Sequence, residues 1–189
     1  LGSDTDASID IEMFGQTLGR LHRPEGTLAS VQIGVGEDVY MVYDTKDLPE
    51  LFHRIKNARS WVGHNLLYDL RQLRRWVTIK KRFVWDTMIV EKLLWGGYYG
   101  NGEYGLDDLV RRYLNIVMDK DTRTDFATAT YMDEKMKQYA ARDAYLTLKV
   151  KQAQDEEIKR RGDNMRTYIE IDEPYLWTTL DFLPIRVNT

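Results

Sequence analysis

The side chains in this sequence best suited to chemistry are four carboxylates and one tyrosine. Asp10 and Glu12 are two residues apart, Asp69 lies further along the chain, and Asp143 follows Tyr139 by four residues. Carboxylates gathered in one place repel one another unless cations neutralise them. Oxygen ligands favour Mg²⁺ or Mn²⁺ over Zn²⁺, and two such ions about 4 Å apart can hold the attacking and leaving oxygens of a phosphoryl displacement. These residues therefore favour metal-dependent phosphodiester hydrolysis.

A β-strand is predicted to carry the first two acids. From Ser8 to Phe14, the apolar residues Ile9, Ile11 and Met13 alternate with Asp10, Glu12 and Phe14, which is the period of a β-strand. Asp10 and Glu12 then project side by side from one face. The same pair would be ordinary on a solvated edge strand, so this motif alone leaves both interpretations open.

A long helix, from about Tyr131 to Arg161, is predicted to carry Asp143 in the middle of its apolar face. Unpaired acids are rarely buried, because removing their charge from water is costly. We therefore expect a cation to meet Asp143, with Tyr139 one turn earlier on the same side. The rest of this face consists of Met136, Ala140, Leu146, Thr147 and Val150.

Asp69 is predicted to lie in a helix from Leu66 to about Trp76, with Asn65 as its N-cap. The helical period places Asp69 at the edge of the apolar face, where an acid can be either a salt-bridge partner or a metal ligand.

The order of predicted elements indicates an α/β fold. Three strands joined by short links precede alternating strands and helices, which predicts an antiparallel edge, a parallel continuation and helices on both faces. The strands are expected at Ser8–Phe14, Leu28–Gly36, Val39–Tyr43, Ser60–Asn65 and Phe83–Trp85. The other helices are expected from Thr45 as N-cap to Asn57, over Met88–Trp95 and Leu106–Asn115, and in a short segment containing Pro174, while Met118–Thr130 is expected to be irregular.

Composition limits the class of protein. The chain has 189 residues, 43% hydrophobic and 30% charged, no cysteine and a net charge of −3. Disulfides and thiolate chemistry are excluded, and a binder that relies mainly on positive charge is disfavoured. No apolar run has the length of a membrane span and no secretory signal is recognisable, so we expect an intracellular, DNA-containing compartment such as the cytoplasm. The opening Leu1-Gly2-Ser3 indicates a cut from something longer or a fusion scar.

Two segments could contact nucleic acid. The basic residues Arg71, Arg74, Arg75 and Lys80–Arg82 are expected to form a solvated face, with a role in holding DNA left open. The loop Gly96–Gly105 contains five glycines and three tyrosines, which suits either a flexible connector or an aromatic platform for bases.

Three motifs together resemble the DEDD superfamily of 3′–5′ exonucleases, in its tyrosine variant. They are Ser8-Ile9-Asp10-Ile11-Glu12, Val62-Gly63-His64-Asn65-Leu66-Leu67-Tyr68-Asp69 and Tyr139-Ala140-Ala141-Arg142-Asp143-Ala144. The resemblance covers roughly residues 7 to 160 and implies a ribonuclease H-like fold with a mixed five-stranded sheet.

The resemblance also implies a role for each of the five chemical residues. Asp10 would bridge two metal ions, Glu12 and Asp143 would complete the site that activates water, and Asp69 would hold the second metal through its waters. Tyr139 would orient the attacking water. The products would be nucleoside 5′-monophosphates released from a 3′ end.

Asn65 and His64 are implied to be near the substrate. Asn65 would position the scissile nucleotide or only cap its helix, and His64 is expected to be a structural hydrogen-bonding group rather than a base. His64 stands where polymerase I-like relatives often have glutamine, and Phe126 where relatives commonly have tryptophan.

The end of the chain resembles the start of the polymerase module in family A DNA polymerases, over Ile169–Leu176, Leu180 and Val187-Asn188. We therefore expect an exonuclease domain over residues 1–161, and a linker with the start of a truncated polymerase-like module over 162–189. The expected partner is a single-stranded or frayed 3′ end of DNA, with RNA possible. Free-standing ribonuclease D-like or Werner-like exonucleases, and a non-catalytic nucleic-acid-binding module, remain as alternatives.

Overall fold

A mixed five-stranded sheet organises the computed structural model, which describes residues 4–15, 26–96, 98, 103–118 and 121–182. The strand order is β3-β2-β1-β4-β5. β1 pairs with β2 and β2 with β3 in antiparallel fashion, whereas β1–β4 and β4–β5 are parallel, so the predicted sheet is confirmed. The strands are β1 (Ala7–Phe14), β2 (Thr27–Val35), β3 (Asp38–Val42), β4 (Trp61–Gly63) and β5 (Val84–Asp86).

The helices agree with the predicted order but differ at some ends. Before the first α-helix, a 3₁₀ turn covers Thr45–Asp47. Its cap is Asp44, not the predicted Thr45. The interval predicted to be irregular contains a short helix, and Asp133 caps the long helix through the backbone N–H of Met136. The helices are α1 (Leu48–Arg54), α2 (Leu66–Leu73), α3 (Thr87–Trp95), α4 (Leu106–Leu114), α5 (Asp121–Asp125), α6 (Glu134–Arg161) and α7 (Glu173–Asp181). In the described ranges, none has the length and apolarity that crossing a membrane requires.

The two faces of the sheet differ in chemistry, and each is covered by helices as predicted. On one face, Ile9, Ile11, Val31 and Ile33 pack with buried side chains of α1, α2 and α7. The opposite face carries small and polar residues, and α6 covers it. That face consists of Ser8, Asp10, Glu12, Ser30, Gln32 and Gly34.

The segment after α6 packs onto the same core as the strands. The Tyr168 hydroxyl donates a hydrogen bond to the carbonyl of Val84 (2.9 Å) and accepts one from the backbone N–H of Asp86 (2.8 Å). In α7, Leu176 and Trp177 are buried in the cluster that contains the β1 side chains. The described residues after α6 therefore contribute buried side chains to this core.

Arginines of the predicted basic face contact backbone carbonyls instead of being simply solvated. Arg71 donates to the carbonyl of Thr179 (3.4 Å), and Arg74 donates to that of Leu180 (3.0 Å) and pairs with Asp181 (2.7 Å). Because the last carbonyls of a helix have no intrahelical partner, these arginines stabilise the end of α7.

Arg82 has the same function at the end of α1. Its guanidinium donates to the carbonyls of Ile55 (3.2 Å), Lys56 (2.7 Å) and Ala58, and lies 4.6 Å from the ring centroid of Trp61. Arg82, like Arg71 and Arg74, therefore stabilises the end of a helix and so contributes to folding.

Candidate active site

Asp10 and Glu12 lie where β1 extends past its parallel neighbour. Only Ala7 and Ser8 of β1 pair with β4, so the acids lie beyond the end of β4, and both are half-buried. Asp10 is opposite Gln32 in the register of β1 and β2. When the Gln32 amide is oriented so that its nitrogen and its oxygen both have hydrogen-bond partners, the nitrogen donates to the carbonyl (2.9 Å) and to Oδ2 (3.3 Å) of Asp10. Gln32 therefore orients the Asp10 carboxylate.

Close packing of α6 against the sheet places Asp143 next to these acids. The Ser8 hydroxyl donates to the carbonyl of Ala144 (2.7 Å) and accepts from the N–H of Gly34 (3.1 Å). A Cβ at Gly34 would lie 2.4 Å from the Ser8 oxygen and 3.3 Å from the Ala144 carbonyl oxygen, so only glycine allows this approach. Asp143, the neighbour of Ala144, is 8% exposed.

Tyr139 links Asp143 to the acids of β1. Its hydroxyl is hydrogen-bonded to the Asp143 carboxylate. Burial, followed by the charges of Asp143 and Glu12 and a smaller contribution from Asp10, raises the pKa of Tyr139 far above its ordinary value. The phenol therefore keeps its proton and cannot act as a base near neutral pH. The charges of Asp10, Glu12 and Asp143 thus all act on this one hydroxyl.

Asp69 reaches the same region from α2. It is buried, and its Oδ1 accepts a hydrogen bond from the N–H of Ile11 (3.2 Å). Burial and then the negative charge of Asp10 raise the pKa of Asp69 well above its ordinary range. The N–H of Ile11, between Asp10 and Glu12 in β1, thus fixes Asp69 beside the other acids.

Asp86 caps two helices at once, a role that was not predicted. Its carboxylate accepts from the N–H groups of Asn65 (3.1 Å) and Leu66 (2.8 Å), which open α2. It also accepts from Met88 (3.0 Å) and Ile89 (3.3 Å), which open α3. Asn65 occupies the N-cap position of α2 as predicted, but its backbone is left-handed and its side chain makes no cap hydrogen bond, so Asp86 supplies the acceptor instead.

His64 is held beside this double cap. Its Nδ1 lies 2.9 Å from the hydroxyl of Thr87, which itself donates to the carbonyl of Gly63 (3.1 Å). Because the hydroxyl has one proton, it accepts from His64, and Nδ1 carries a hydrogen. This is a structural hydrogen bond, as expected for His64. Asn65 is exposed next to it, and contact of either residue with substrate stays a prediction.

Replacing Asp86 with alanine is expected to lower the free energy of unfolding by about 2–4 kcal/mol, since two helices lose their cap and buried N–H groups lose their acceptor. Urea unfolding followed by circular dichroism measures the loss. Asp44→Ala is the matched control, because exposed Asp44 caps one 3₁₀ turn through Lys46, and we expect a change below about 1 kcal/mol. Equal losses in both variants would contradict the double-cap role.

The acidic residues have suitable chemistry for divalent cations. Their donors are carboxylate oxygens, and the effect of Asp10 on the pKa of Asp69 means that a positive charge between them would be stabilised. Among the residues that the structure describes, no three His, Cys, Asp or Glu side chains are arranged to hold a metal ion. Mg²⁺ keeps several of its waters and does not require a closed cage of protein ligands.

Sequence reasoning missed Ser8, Gln32 and Asp86, which position the acids. Ser8 and Gln32 share the alternation of Asp10 and Glu12, so the signal was a polar face on two adjacent strands. Such a face looks solvated until a helix is known to cover it. Asp86 had a local signal as the residue that opens α3, but its second role depends on a helix 20 residues away in sequence.

Comparison with known proteins agrees with this geometry. A family model described as 3′–5′ exonuclease matches residues 6–159. DNA polymerase I of Aquifex aeolicus (strain VF5) is 35% identical over 115 residues, which cover 60% of this chain and 19% of that polymerase. The chain therefore spans only about a fifth of the length of the curated relative it matches. Divalent metal ions are the normal cofactors in this family.

Solved structures confirm the ribonuclease H-like fold. NrnC of Brucella melitensis, with bound Mg²⁺ or bound to pGG, has a TM-score of 0.73 and 21% identity, covering 94% of this chain and 84% of that one. RNase D of Escherichia coli, described as an exoribonuclease involved in structured RNA processing, has a TM-score of 0.73 and 16% identity, with coverages of 96% and 46%. The chain belongs to the 3′–5′ exonuclease family, as a hydrolytic nuclease domain of the polymerase I-like kind.

Proposed function

We propose that this domain trims DNA from the 3′ end, releasing nucleoside 5′-monophosphates, as the proofreading exonuclease of a polymerase I-like DNA polymerase. The observation that carries the proposal is a pair of contacts with β1: the Ser8 hydroxyl donates to the carbonyl of Ala144, the neighbour of Asp143 (2.7 Å), and the N–H of Ile11 donates to Asp69 (3.2 Å). These residues come from β1, α2 and α6, so only the folded chain assembles them.

The proposed metal ligands are Asp10, Glu12, Asp69 and Asp143, with Asp10 shared between two Mg²⁺ or Mn²⁺ ions. When bound, such ions supply Lewis-acid stabilisation of the attacking water and of the leaving oxygen. The protein contributes the fixed orientation of the carboxylates, through Gln32 on Asp10 and the backbone N–H of Ile11 on Asp69.

Tyr139 is proposed to orient the attacking water. Its hydroxyl proton is directed to Asp143, which leaves an oxygen lone pair that can accept a hydrogen bond from water. Since the phenol stays protonated, its contribution is positioning, and the proton released by the water must be taken elsewhere.

Tyr139→Phe is therefore expected to lower kcat by about 10–100-fold without abolishing activity, because the attacking water loses one orienting hydrogen bond. Single-turnover trimming of a 5′-labelled DNA oligonucleotide measures this change. The matched control is Tyr145→Phe, also on α6, whose hydroxyl bonds to Glu37 (2.8 Å) away from the acids. Full activity in Tyr139→Phe would contradict the positioning role.

The choice between DNA and RNA is tested with matched single-stranded oligonucleotides that differ only in the 2′-hydroxyl. With Mg²⁺ or Mn²⁺, we expect faster trimming of DNA, beginning at the 3′ end and blocked by a 3′-terminal phosphate. Faster trimming of RNA would instead favour the ribonuclease D-like alternative, which the likeness to RNase D supports as well.

A non-catalytic binding module is the alternative from another class. Calorimetric titration with Mn²⁺ discriminates it, since a proofreading site should bind the ion at millimolar concentration or below and a scaffold should not.

We also propose covalent attachment to a polymerase module after residue 161, no membrane partner, and a DNA-containing compartment. The similarity to a full-length polymerase I supports this arrangement.

A further inference from the structure

An aromatic depression lies on the surface next to the proposed active site. It has a volume of about 330 Å³ and is lined mainly by Phe14, Leu28, Tyr43, Tyr131, Met132 and Lys137. Two of its rings are strongly accessible, because Tyr43 is 47% and Tyr131 74% exposed. The acids of the active site do not line this depression.

The depression is physically continuous with Tyr139. Phe14 packs on Phe126 at 6.3 Å between ring centroids, and Phe126 packs on Tyr139 at 6.2 Å. Phe14 and Met132 belong to the same apolar cluster as Phe126 and Tyr139. Phe126 is buried, at 4% exposed, so these contacts connect the depression to Tyr139 beneath the surface and indicate that the two lie near each other.

The charge at the depression suits a phosphate backbone. The ammonium group of Lys137 lies 6.0 Å from the ring centroid of Tyr43 and forms a long ion pair with the exposed Glu134 (3.9 Å). A lysine beside exposed rings is the combination that binds single-stranded nucleic acid, because bases stack on the rings while the cation tracks the backbone. Lys137 precedes Asp143 by six residues in α6, about 9 Å along the helix, which a few nucleotides can span.

A second depression, of about 340 Å³, adjoins the first across Leu28 and Tyr43. It contains Trp76 with the guanidinium of Arg75 at 4.6 Å from the ring centroid, and also the exposed Asp44, which pairs with Lys46 at 2.9 Å. The Arg75 guanidinium also donates to the carbonyl of Gly26 (3.2 Å) and to the side-chain oxygen of Gln72 (3.1 Å). The aromatic surface thus continues beyond Tyr43 to Trp76.

We propose that the depression between Tyr43, Tyr131 and Lys137 binds the nucleotides that precede the scissile one, so that this surface determines the preference for longer single strands. This inference rests on the proposed exonuclease function and adds the path of the strand. The bases would stack on Tyr43 and Tyr131, and Lys137 would neutralise a phosphate.

The test compares a dinucleotide with an octanucleotide of single-stranded DNA. Tyr43→Ala and Lys137→Ala are expected to lower kcat/KM on the octanucleotide by about tenfold, mainly through KM, as expected for one lost stack or phosphate contact. The loss on the dinucleotide should be much smaller, since it has no nucleotide to place in the depression. Equal losses on both substrates, or no loss on the octanucleotide, would overturn the proposal.

Tyr40→Ala is the matched control for Tyr43→Ala. Tyr40 lies on β3, three residues before Tyr43, is 56% exposed, and does not line either depression. We expect its octanucleotide kinetics to be those of the natural sequence. Lys159→Ala is the matched control for Lys137→Ala, because Lys159 lies about 33 Å further along α6 and therefore far from the depression.

Binding without metal separates this inference from the proposed function. Fluorescence anisotropy of a labelled octanucleotide in EDTA should give a Kd about tenfold weaker for Tyr43→Ala than for the natural sequence, whether or not the protein cleaves DNA. A natural protein that binds but never cleaves would refute the exonuclease proposal alone. No binding, or identical binding in both proteins, would refute the strand path.

Discussion

Asp143→Asn is expected to reduce exonuclease activity by about 10³-fold or more, the scale seen when a central catalytic group is removed. Asp143 contacts Tyr139 and shares its surroundings with Glu12 and Asp10, so its charge is both a proposed metal ligand and the acceptor that orients the tyrosine. Asparagine keeps the shape but loses the charge. A time course of 5′-labelled single-stranded DNA with Mn²⁺ measures the loss.

Stability provides the internal control for this variant. Removing one of several clustered carboxylates relieves repulsion, so the melting temperature should be unchanged or higher. Glu156→Gln, an exposed acid on the same helix that pairs with Lys159 at 2.7 Å, should retain both stability and activity. If Asp143→Asn folds and trims DNA at the natural rate, the assignment of the site is wrong.

Truncation after Arg161 is expected to prevent cooperative folding. The deletion removes Tyr168, Leu176, Trp177 and Leu180, all of which are buried against the strands and α2. Burial of one large apolar side chain contributes about 1.5–3 kcal/mol, and a domain is stable by only about 5–15 kcal/mol in total. Thermal unfolding followed by circular dichroism should therefore give a sharp transition for the full chain and none for residues 1–161.

A piece that ends after Phe182 is the control, because it keeps α7 together with Asp181, the partner of Arg74. We expect it to melt like the full chain. The boundary predicted at residue 161 stays a prediction until this comparison is made. A sharp transition for residues 1–161 would support that boundary and would show that the segment after α6 is dispensable.

Features that depend on local periodicity were predictable from the sequence. The alternation around Asp10 and Glu12 identified β1 and its polar face, and the helical period identified Asp143 on the buried side of α6. Both signals come from side chains within a few residues of one another, where the geometry of a strand or helix is fixed.

Features that depend on distant partners were not predictable in this way. Asn65 has the right residue type for a cap, but the cap hydrogen bond is accepted by the carboxylate of Asp86, at the end of β5. The 3₁₀ turn before α1 and the short helix α5 were missed because weak local propensities there do not distinguish a turn from a helix. The two interpretations of Gly96–Gly105, a flexible connector or an aromatic platform, both stay open, since residues 97 and 99–102 lie outside the described part of the chain.

The arginines at the ends of α1 and α7 have a consequence for the thermodynamics of DNA binding. Each phosphate of a single strand that a protein neutralises releases counterions and makes the slope of log K against log [salt] steeper by about 0.7. Arg71, Arg74 and Arg82 are already bound to backbone carbonyls, so they are poorly available to phosphates. With a net charge of −3, the chain should show a shallow slope of about −1 to −2 for single strands. Salt should therefore alter its affinity for DNA only weakly, and stacking should supply most of the binding free energy.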